Sequence, residues 1–544
     1  MCGLNCPMAR LSTLLDTLRT ALALACFAGF LIPVTIYAQA NVPWSGYAHD
    51  PHHTAVSAVP ARELTKILWR TSVDLINAPN PNEPSANGTL FIHYGSLSVT
   101  AQDTVLVPVR TATGTYEVLA FSAPTCATSG GGTCAPLYTL ASDYSLPSHD
   151  WIPPYGPALS LGTHLYYPGP GGTVYYRDSV DSATGSNGLT GATARLVFYG
   201  RDIYLANRSQ LDAAIQISTP ITADHFGNVF FGFVAAAGNA AGVVSGIARI
   251  GANGAGTWVS ATSLAGNDPS VTQVALNCAP ALSDNEQTVY VAVSGSNEFD
   301  SNGYLVSLNA TTLAPVAHAP LFDPLTGLRA TVSSDSSAAP MVGPDGDLYY
   351  GVLENPCCSS HNDRGWMLHF NSTLSTLKTP GSFGWDDTAS VVPAASVPGY
   401  TGASTYLILT KYNNYVGIGT GDGVNKVAVL DPNATQQDEY STATVMKEVI
   451  TVKGVTPEAS AGFPNAVREW CINTAAIDRF TKSAMINSED GVLYRWDFTT
   501  NTLSQKVVLT PGIGEAYTPT VIGPDGVVYA VNDAILFAVG GAKP

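Results

Sequence analysis

The sequence predicts an all-β fold: a single β-propeller of eight four-stranded blades, its ring closed by an N-terminal strand. Three observations carry that prediction. A phrase made of Pro or Ala, a short apolar alternation, an Asp/Gly-rich turn and a Tyr-rich run recurs roughly every 60 residues between Pro157 and Pro519. Only 12% of the residues are charged, against about 25% in an average globular chain, while 51 Gly and 36 Pro supply the turns that short strands need. Finally, the last repeat ends in AILFAVG without a fourth strand, and the early segment TKILWRTSV (65–73) is a strand with no repeat of its own. The second completes the first, which closes the ring and removes sheet edges that would otherwise invite aggregation.

Taken in order, residues 1–40 place Arg10 and Arg19 before an apolar run from Ala21 to Tyr37 that ends in Ala38-Gln39-Ala40. Charged start, apolar middle and small-residue cleavage site are the grammar of a signal peptide. The run is at the lower limit for a membrane span, and no later stretch is apolar and long enough for one. The expectation is therefore cleavage after Ala40, a secreted or periplasmic protein, no membrane span after cleavage, and one propeller domain over residues 41–544. Cleavage removes Cys2, Cys6 and Cys26, leaving six of nine cysteines in a compartment where disulfides persist. Cys126 and Cys134 bracket ATSGGGT and form a local bridge on this reading; the pairing as a whole is open.

The repeats then follow. A degenerate copy starts at Pro84, and PALSLGTHLYYPG (157–169), TPITADHFGNVFFGF (219–233), APALSDNEQTVYVAVSG (279–295) and APMVGPDGDLYYGVLE (339–354) come next. ASVVPAASVPGYTGASTYLILTKYN (389–413), TAAIDRFTKSAMINSEDG (474–491) and TPTVIGPDGVVYAVND (518–533) complete the set. Each continues into a third strand and polar turn, as in GYLVSLNATTLAP and GVLYRWDFTTNTLS. Eight units predict eight blades, with seven the alternative if the Pro84 unit is an insertion. His49, His52 and His53 in AHDPHHT lack zinc-site spacing and read as a solvated turn. Asn297, Glu298, Asp300 and Asn302 are oxygen ligands that could hold calcium, but loops of this composition are commonly turns.

The opening phrase WSGYAHDPHHTAVS (44–57), the PDGxxY turns and the third-strand phrase VLDPNAT resemble those of the pyrroloquinoline-quinone-like repeat propellers, over most of residues 41–540. The resemblance implies the fold. It leaves function open, because such propellers include cofactor-bearing alcohol dehydrogenases, outer-membrane assembly lipoproteins and many exported proteins without assigned activity. In the dehydrogenase branch a disulfide between adjacent cysteines packs on the quinone and Arg-Gly follows shortly. ENPCCSSHNDRGW is similar in outline, with Cys357, Cys358 and Arg364-Gly365, but it lies in the fifth repeat with a different spacing. LNATTLAPV and FNSTLSTLK also lack the Gly and Trp that close that branch's blade-docking phrase. Pyrroloquinoline quinone with calcium is therefore the cofactor of an alternative reading, and no cofactor is assigned.

The net charge of −17, from 24 Lys plus Arg and 41 Asp plus Glu, excludes a nucleic-acid partner, which requires a basic surface. Propeller topology puts the PDG turns on one face, and the loops after strand two and before strand one on the other. After strand two come Glu354, Cys357, Cys358, His361, Asp363 and Arg364, then Lys411 and Asn414 in the next unit. Before strand one come Trp385, Asp386 and Asp387; Arg468, Glu469 and Trp470; and Glu515 with Tyr517, with His149, Asp150 and Trp151 preceding the second unit. Aromatics, carboxylates and arginines on one rim suit a polar small molecule, a glycan or a protein ligand, with rings stacking and charges orienting. The same carboxylates, Asp386 with Asp387 or Glu469 with Glu515, would be the acid/base pair of a polysaccharide hydrolase or lyase. No GxSxG, Walker or HExxH motif occurs.

Overall fold

The computed structural model describes residues 42–76, 95–146, 154–160, 164–184, 194–334, 336–458, 462–514 and 516–543. The leader, the Pro84 turn, residues 149–151 and Glu515 lie outside them. Eight antiparallel sheets follow one another along the chain and form an eight-bladed propeller. The first runs through Ser98–Val99, Thr104–Arg110, Tyr116–Ser122 and Tyr138–Ser142, each strand paired with the next. The eighth has the order Val521–Ile522, Val528–Asn532, Ile535–Gly540, and then Lys66–Ser72, which pairs from Lys66 opposite Gly540 to Ser72 opposite Ile535. Trp69 is fully buried on this closing strand and packs against Phe121 of the first blade and Tyr529 of the eighth.

The outer edge of the closing strand is covered. Gly131 N–H donates to the Leu68 carbonyl and Arg70 N–H to the Gly132 carbonyl, so the first-blade loop lies along that edge. A disulfide joins Cys126 and Cys134 at the base of the loop, with 5.3 Å between their Cα atoms. Gly131 sits at φ 89°, and a Cβ there would stand 3.3 Å from the Ile67 carbonyl, so the GGG run is what lets the backbone approach. Cys278 and Cys471 remain buried thiols.

The fifth blade departs from the pattern. Only Met341–Val342, Leu348–Val352 and Trp366–Phe370 are paired strands, and its outer strand is reduced to bridges between Met367 and Gly381 and between Phe370 and Leu377. The sixth blade compensates with a long outer hairpin, Lys426–Gln437 paired with Thr444–Lys453. Met446 N–H donates to the Pro380 carbonyl, and Ala443 and Val445 join the core cluster of the fourth and fifth blades.

The channel is not empty at its centre, and this corrects the reading of the histidine-rich phrase as a solvated turn. Residues 44–57 cross the ring along the first strands of successive blades. The carbonyls of Trp44, Ser45, Pro51, His52, Thr54 and Ala55 accept the N–H groups of Val99, Leu159, Leu282, Val342, Val391 and Ile477, one from each of six blades. Inner strands otherwise present unpaired edge groups, and buried backbone donors need partners. Asp50 shapes the segment, accepting from His52 N–H at 3.0 Å, from Thr54 N–H at 3.1 Å and from the Thr54 hydroxyl. Burial opposes its ionisation, but the hydrogen bond and charge of His49, with His52 and Thr54, hold the carboxyl well below the carboxylate range. His53 is 1% exposed and bonds through Nδ1 to the Pro340 carbonyl at 2.7 Å.

Candidate functional site

Tyr47 carries the central segment towards the face opposite the PDG turns. Its hydroxyl lies 2.6 Å from Asn473 Oδ1, 2.8 Å from Thr388 Oγ1 and 2.9 Å from the Ser337 carbonyl, so one phenol ties the loops before strand one of the fifth, sixth and seventh blades. Burial pushes that phenol far above its ordinary range, so it acts as a neutral hydrogen-bonding group. Ser337 donates its hydroxyl and backbone N–H to Asp386, and Lys411 Nζ stands 3.5 Å from the same carboxylate. The ammonium also lies over the rings of Tyr517 at 5.4 Å and Phe383 at 5.9 Å. Asp387 accepts from the Lys411 N–H at 3.1 Å, and burial raises its pKa well above the carboxylate range, with the Asp386 charge adding and Lys411 opposing. Asp386 and Asp387 are both at most 3% exposed and bonded within their loops. Neither is presented to solvent as the acid/base pair of a glycosidase would be.

The cysteine loop is built by Glu354. Its carboxylate accepts three backbone N–H groups, from His361 at 3.0 Å, Asp363 at 2.8 Å and Gly365 at 2.7 Å, and is fully buried. Gly365 is required where strand three begins, since a Cβ there would stand 1.9 Å from the Val352 carbonyl oxygen. Cys357 and Cys358 are joined in a disulfide. Cys357 is exposed, Cys358 and Asp363 are half-buried, and the two sulfurs and the Asp363 carboxyl lie within 4.8 Å of one another. Burial and then the Glu354 charge push the Asp363 carboxyl up to about 7.

His361, Arg364, Asn414 and Trp470, expected on the rim, are buried, and Arg468 is half-buried in ion pairs. His361 stacks on Trp366 with ring centroids 3.8 Å apart and bonds to Asp438 at 3.1 Å and to the Gly365 carbonyl at 3.0 Å. Burial disfavours the Asp438 charge, but hydrogen bonds from His361, Ser382 and Ser441 overcome it and hold that carboxyl low. Arg364 is fully buried among Tyr412, Tyr440 and Phe383, donating to the carbonyls of Asn413 and Ser382. Among the described residues no carboxylate lies within ion-pair distance of it. Asn414 is held by Asn362, Asp422 and Asn425. Trp470 is 1% exposed, and its backbone N–H is bound by Asn413. Arg468 pairs with Glu458 at 2.5 Å and Glu489 at 3.1 Å.

These loops form three groupings: the disulfide with Asp363, Lys411 with Asp386 and Tyr517, and a set in which donor atoms of Glu469, Cys471 and Glu489 lie within 4.8 Å. Tyr415 links the parts: it packs with Trp385 on the Phe383–Tyr412 cluster, and burial raises its pKa, helped by the charges of Glu469, Cys471 and Asp363. Tyr47, Ser337, Tyr415, Cys471, Asn473 and Glu489 were not singled out from sequence. Tyr415 sits one residue beyond the KYNN phrase, while Tyr47 gains its role from contacts 290 or more residues away and Ser337 from contacts 49 or more residues away.

A bound pyrroloquinoline quinone fits this set poorly. It is a tricarboxylate and needs cationic partners, yet Arg364 is committed to backbone carbonyls in an aromatic cage and Lys411 to Asp386, while Glu469 and Glu489 are further carboxyl groups in the neighbouring loop. Glu354 and Asn414, which could have ligated calcium, have their oxygens engaged in the loops.

No protein family and no curated protein matches the chain in sequence. Among solved structures it is similar to a europium-containing methanol dehydrogenase, at 12% identity over 90% of this chain and 89% of that one, with a TM-score of 0.46. It is similar to the quinohemoprotein alcohol dehydrogenase from Comamonas testosteroni, at 11% identity over 92% and 81% of the two chains, TM-score 0.48. BamB from Moraxella catarrhalis matches at 13% identity over 87% and 98%, TM-score 0.41. The fold itself rests on the strand order of the eight blades.

Proposed function

We propose that this chain is an exported propeller, released by removal of residues 1–40, that binds a hydroxyl-rich ligand such as a neutral glycan at the channel mouth of blades five to eight. The observation that carries the reading is the grouping of half-buried aromatic rings with a buried ion pair. Trp385 and Tyr415 share one apolar cluster, and Tyr517 stacks over the Lys411 ammonium that Asp386 fixes. Rings of this kind cover sugar faces, while the half-buried carboxyls of Asp363 and Glu469 offer acceptors to hydroxyl groups. The surplus of carboxylates around them disfavours an anionic ligand.

Titration of the mature protein with neutral oligosaccharides, followed by tryptophan fluorescence and calorimetry, tests it. A saccharide that saturates the wild type is expected to bind at least about tenfold more weakly to Trp385→Ala, the effect of losing one well-packed aromatic contact. Equal affinity in the variant, or no saccharide binding at all, overturns the reading. Incubation with pyrroloquinoline quinone and calcium before gel filtration tests the oxidoreductase alternative, for which stoichiometric quinone absorbance is the required outcome.

A further inference from the structure

We propose that the Cys357–Cys358 loop is a redox-gated site for a thiophilic divalent cation: closed to metal as the disulfide, and open as a two-thiolate, one-carboxylate site once reduced. The proposal does not depend on the glycan reading.

Three observations carry it. The two sulfurs and the Asp363 carboxyl lie within 4.8 Å of one another, so the donors a soft or borderline cation prefers are already gathered. Cys357 is exposed and Cys358 half-buried, so a reductant reaches the bond and the metal reaches the thiolates. The loop is also held by something other than the disulfide. Glu354 grips the backbone N–H groups of His361, Asp363 and Gly365, and Asn355, at the other end of the loop, donates to Asp323 through its N–H and to the Arg329 carbonyl through its side chain. Cleaving the sulfur–sulfur bond leaves these restraints in place, so the thiols stay near the carboxyl and the ion does not have to organise a slack loop.

The chemistry balances. A dithiol reductant transfers two electrons and two protons to the disulfide and leaves as its own disulfide, giving two thiols on the protein. A divalent cation then replaces the two thiol protons, which pass to solvent, and Asp363 supplies the third ligand. The fourth position is open to water, as in three-ligand zinc sites.

The test uses zinc and cadmium as probes. The mature protein is reduced with dithiothreitol, desalted, incubated with zinc and passed through gel filtration beside an unreduced sample. One retained equivalent is expected in the reduced protein and none in the unreduced one, with about tenfold weaker retention against a chromogenic chelator in Asp363→Asn. Cadmium should give the ultraviolet thiolate-to-metal band of two thiolates, and Cys357→Ser/Cys358→Ser should lose both signals. Retention of no metal by the reduced wild type overturns the proposal. So does undiminished retention in the double serine variant, which would hand the ion to the Cys126 and Cys134 thiols or to Glu469, Cys471 and Glu489. Unchanged affinity in Asp363→Asn overturns the assignment of the third ligand.

Discussion

His53 donates its Nδ1 proton to the Pro340 carbonyl, and its Nε2 is buried with no hydrogen-bond partner among the described residues. Burial lowers its pKa from 6.5 to about 4, with the Pro340 bond and Asp50 opposing and His52 adding. The unfolded chain takes the proton first on acidification. The contribution of His53 to stability is thus complete above pH 6.5, declines as pH falls towards 4 and is flat below, a span of about 3 kcal/mol. Burial raises the pKa of Asp103 to about 6 and raises that of Asp363, and these groups act with the opposite sign in the same window. A difference between proteins isolates the histidine: in denaturant titrations the gap between wild type and His53→Gln should narrow between pH 6.5 and 4, and a constant gap would show that His53 is not buried neutral. At the channel mouth, Lys411 and Asp386 are 2% and 4% exposed in their side chains, so Lys411→Met leaves a buried carboxylate without its cation. The expected cost is about 3 kcal/mol, read as a lower denaturant midpoint with an unchanged slope. Both effects were invisible in the sequence for one reason. AHDPHHT is locally polar, and nothing within it says that six inner strands will surround it; Lys411 and Asp386 are readable as rim residues but not as partners.

The alternation and turn chemistry of each repeat were legible because both are local. TPTVIGPDGVVYAVND sets its strands, its tight turn and their register without help from the rest of the chain. The pairing of TKILWRTSV with AILFAVG was also legible, since an incomplete last repeat and an orphan strand complete one another. The edge cover was only half legible. Cys126 and Cys134 announced a loop, but that its Gly131 and Gly132 lie along the closing strand comes from packing between blades. The bridge closes a short loop, for which chain entropy gives about 2–3 kcal/mol, and its loss should also loosen the strand beneath. Cys126→Ser/Cys134→Ser is therefore expected to speed amide exchange specifically in residues 66–72, whereas uniform change across the ring would mean that the loop is not the strand's cover. The fifth blade shows the limit of repeat reading. GWMLHFNSTLSTLK has the composition of a third strand, a turn and a fourth strand, yet its outer strand is only bridged, and the neighbouring hairpin takes its place.

At the scale of the whole molecule, closing a ring brings Lys66 opposite Gly540, and such sequence-distant pairing has a large loop-closure cost. The central segment reduces that liability by joining blades that the chain visits far apart. Its own conformation is not favourable: Ala48, His49, His53 and Ala55 all sit at positive φ, which costs about 1 kcal/mol or more each for residues with a Cβ. A segment with so little local preference persists only if the ring supplies the restraint, and the six carbonyl acceptors it offers to inner-strand N–H groups are the return. The two statements make one prediction. In native-state hydrogen exchange, the amides of Val99, Leu159, Leu282, Val342, Val391 and Ile477 should be protected as strongly as the mid-blade strands. Tyr47→Phe removes the hydroxyl shared by Ser337, Thr388 and Asn473, leaving their polar groups partly unsatisfied at about 1–3 kcal/mol. Protection should then fall together in the fifth, sixth and seventh blades, whose loops before strand one meet at that phenol, and remain in the first and second. Exchange of the six amides at turn-like rates in the wild type would mean that the segment only fills the channel; loss confined to the fifth blade in Tyr47→Phe would mean that the phenol does not couple its neighbours.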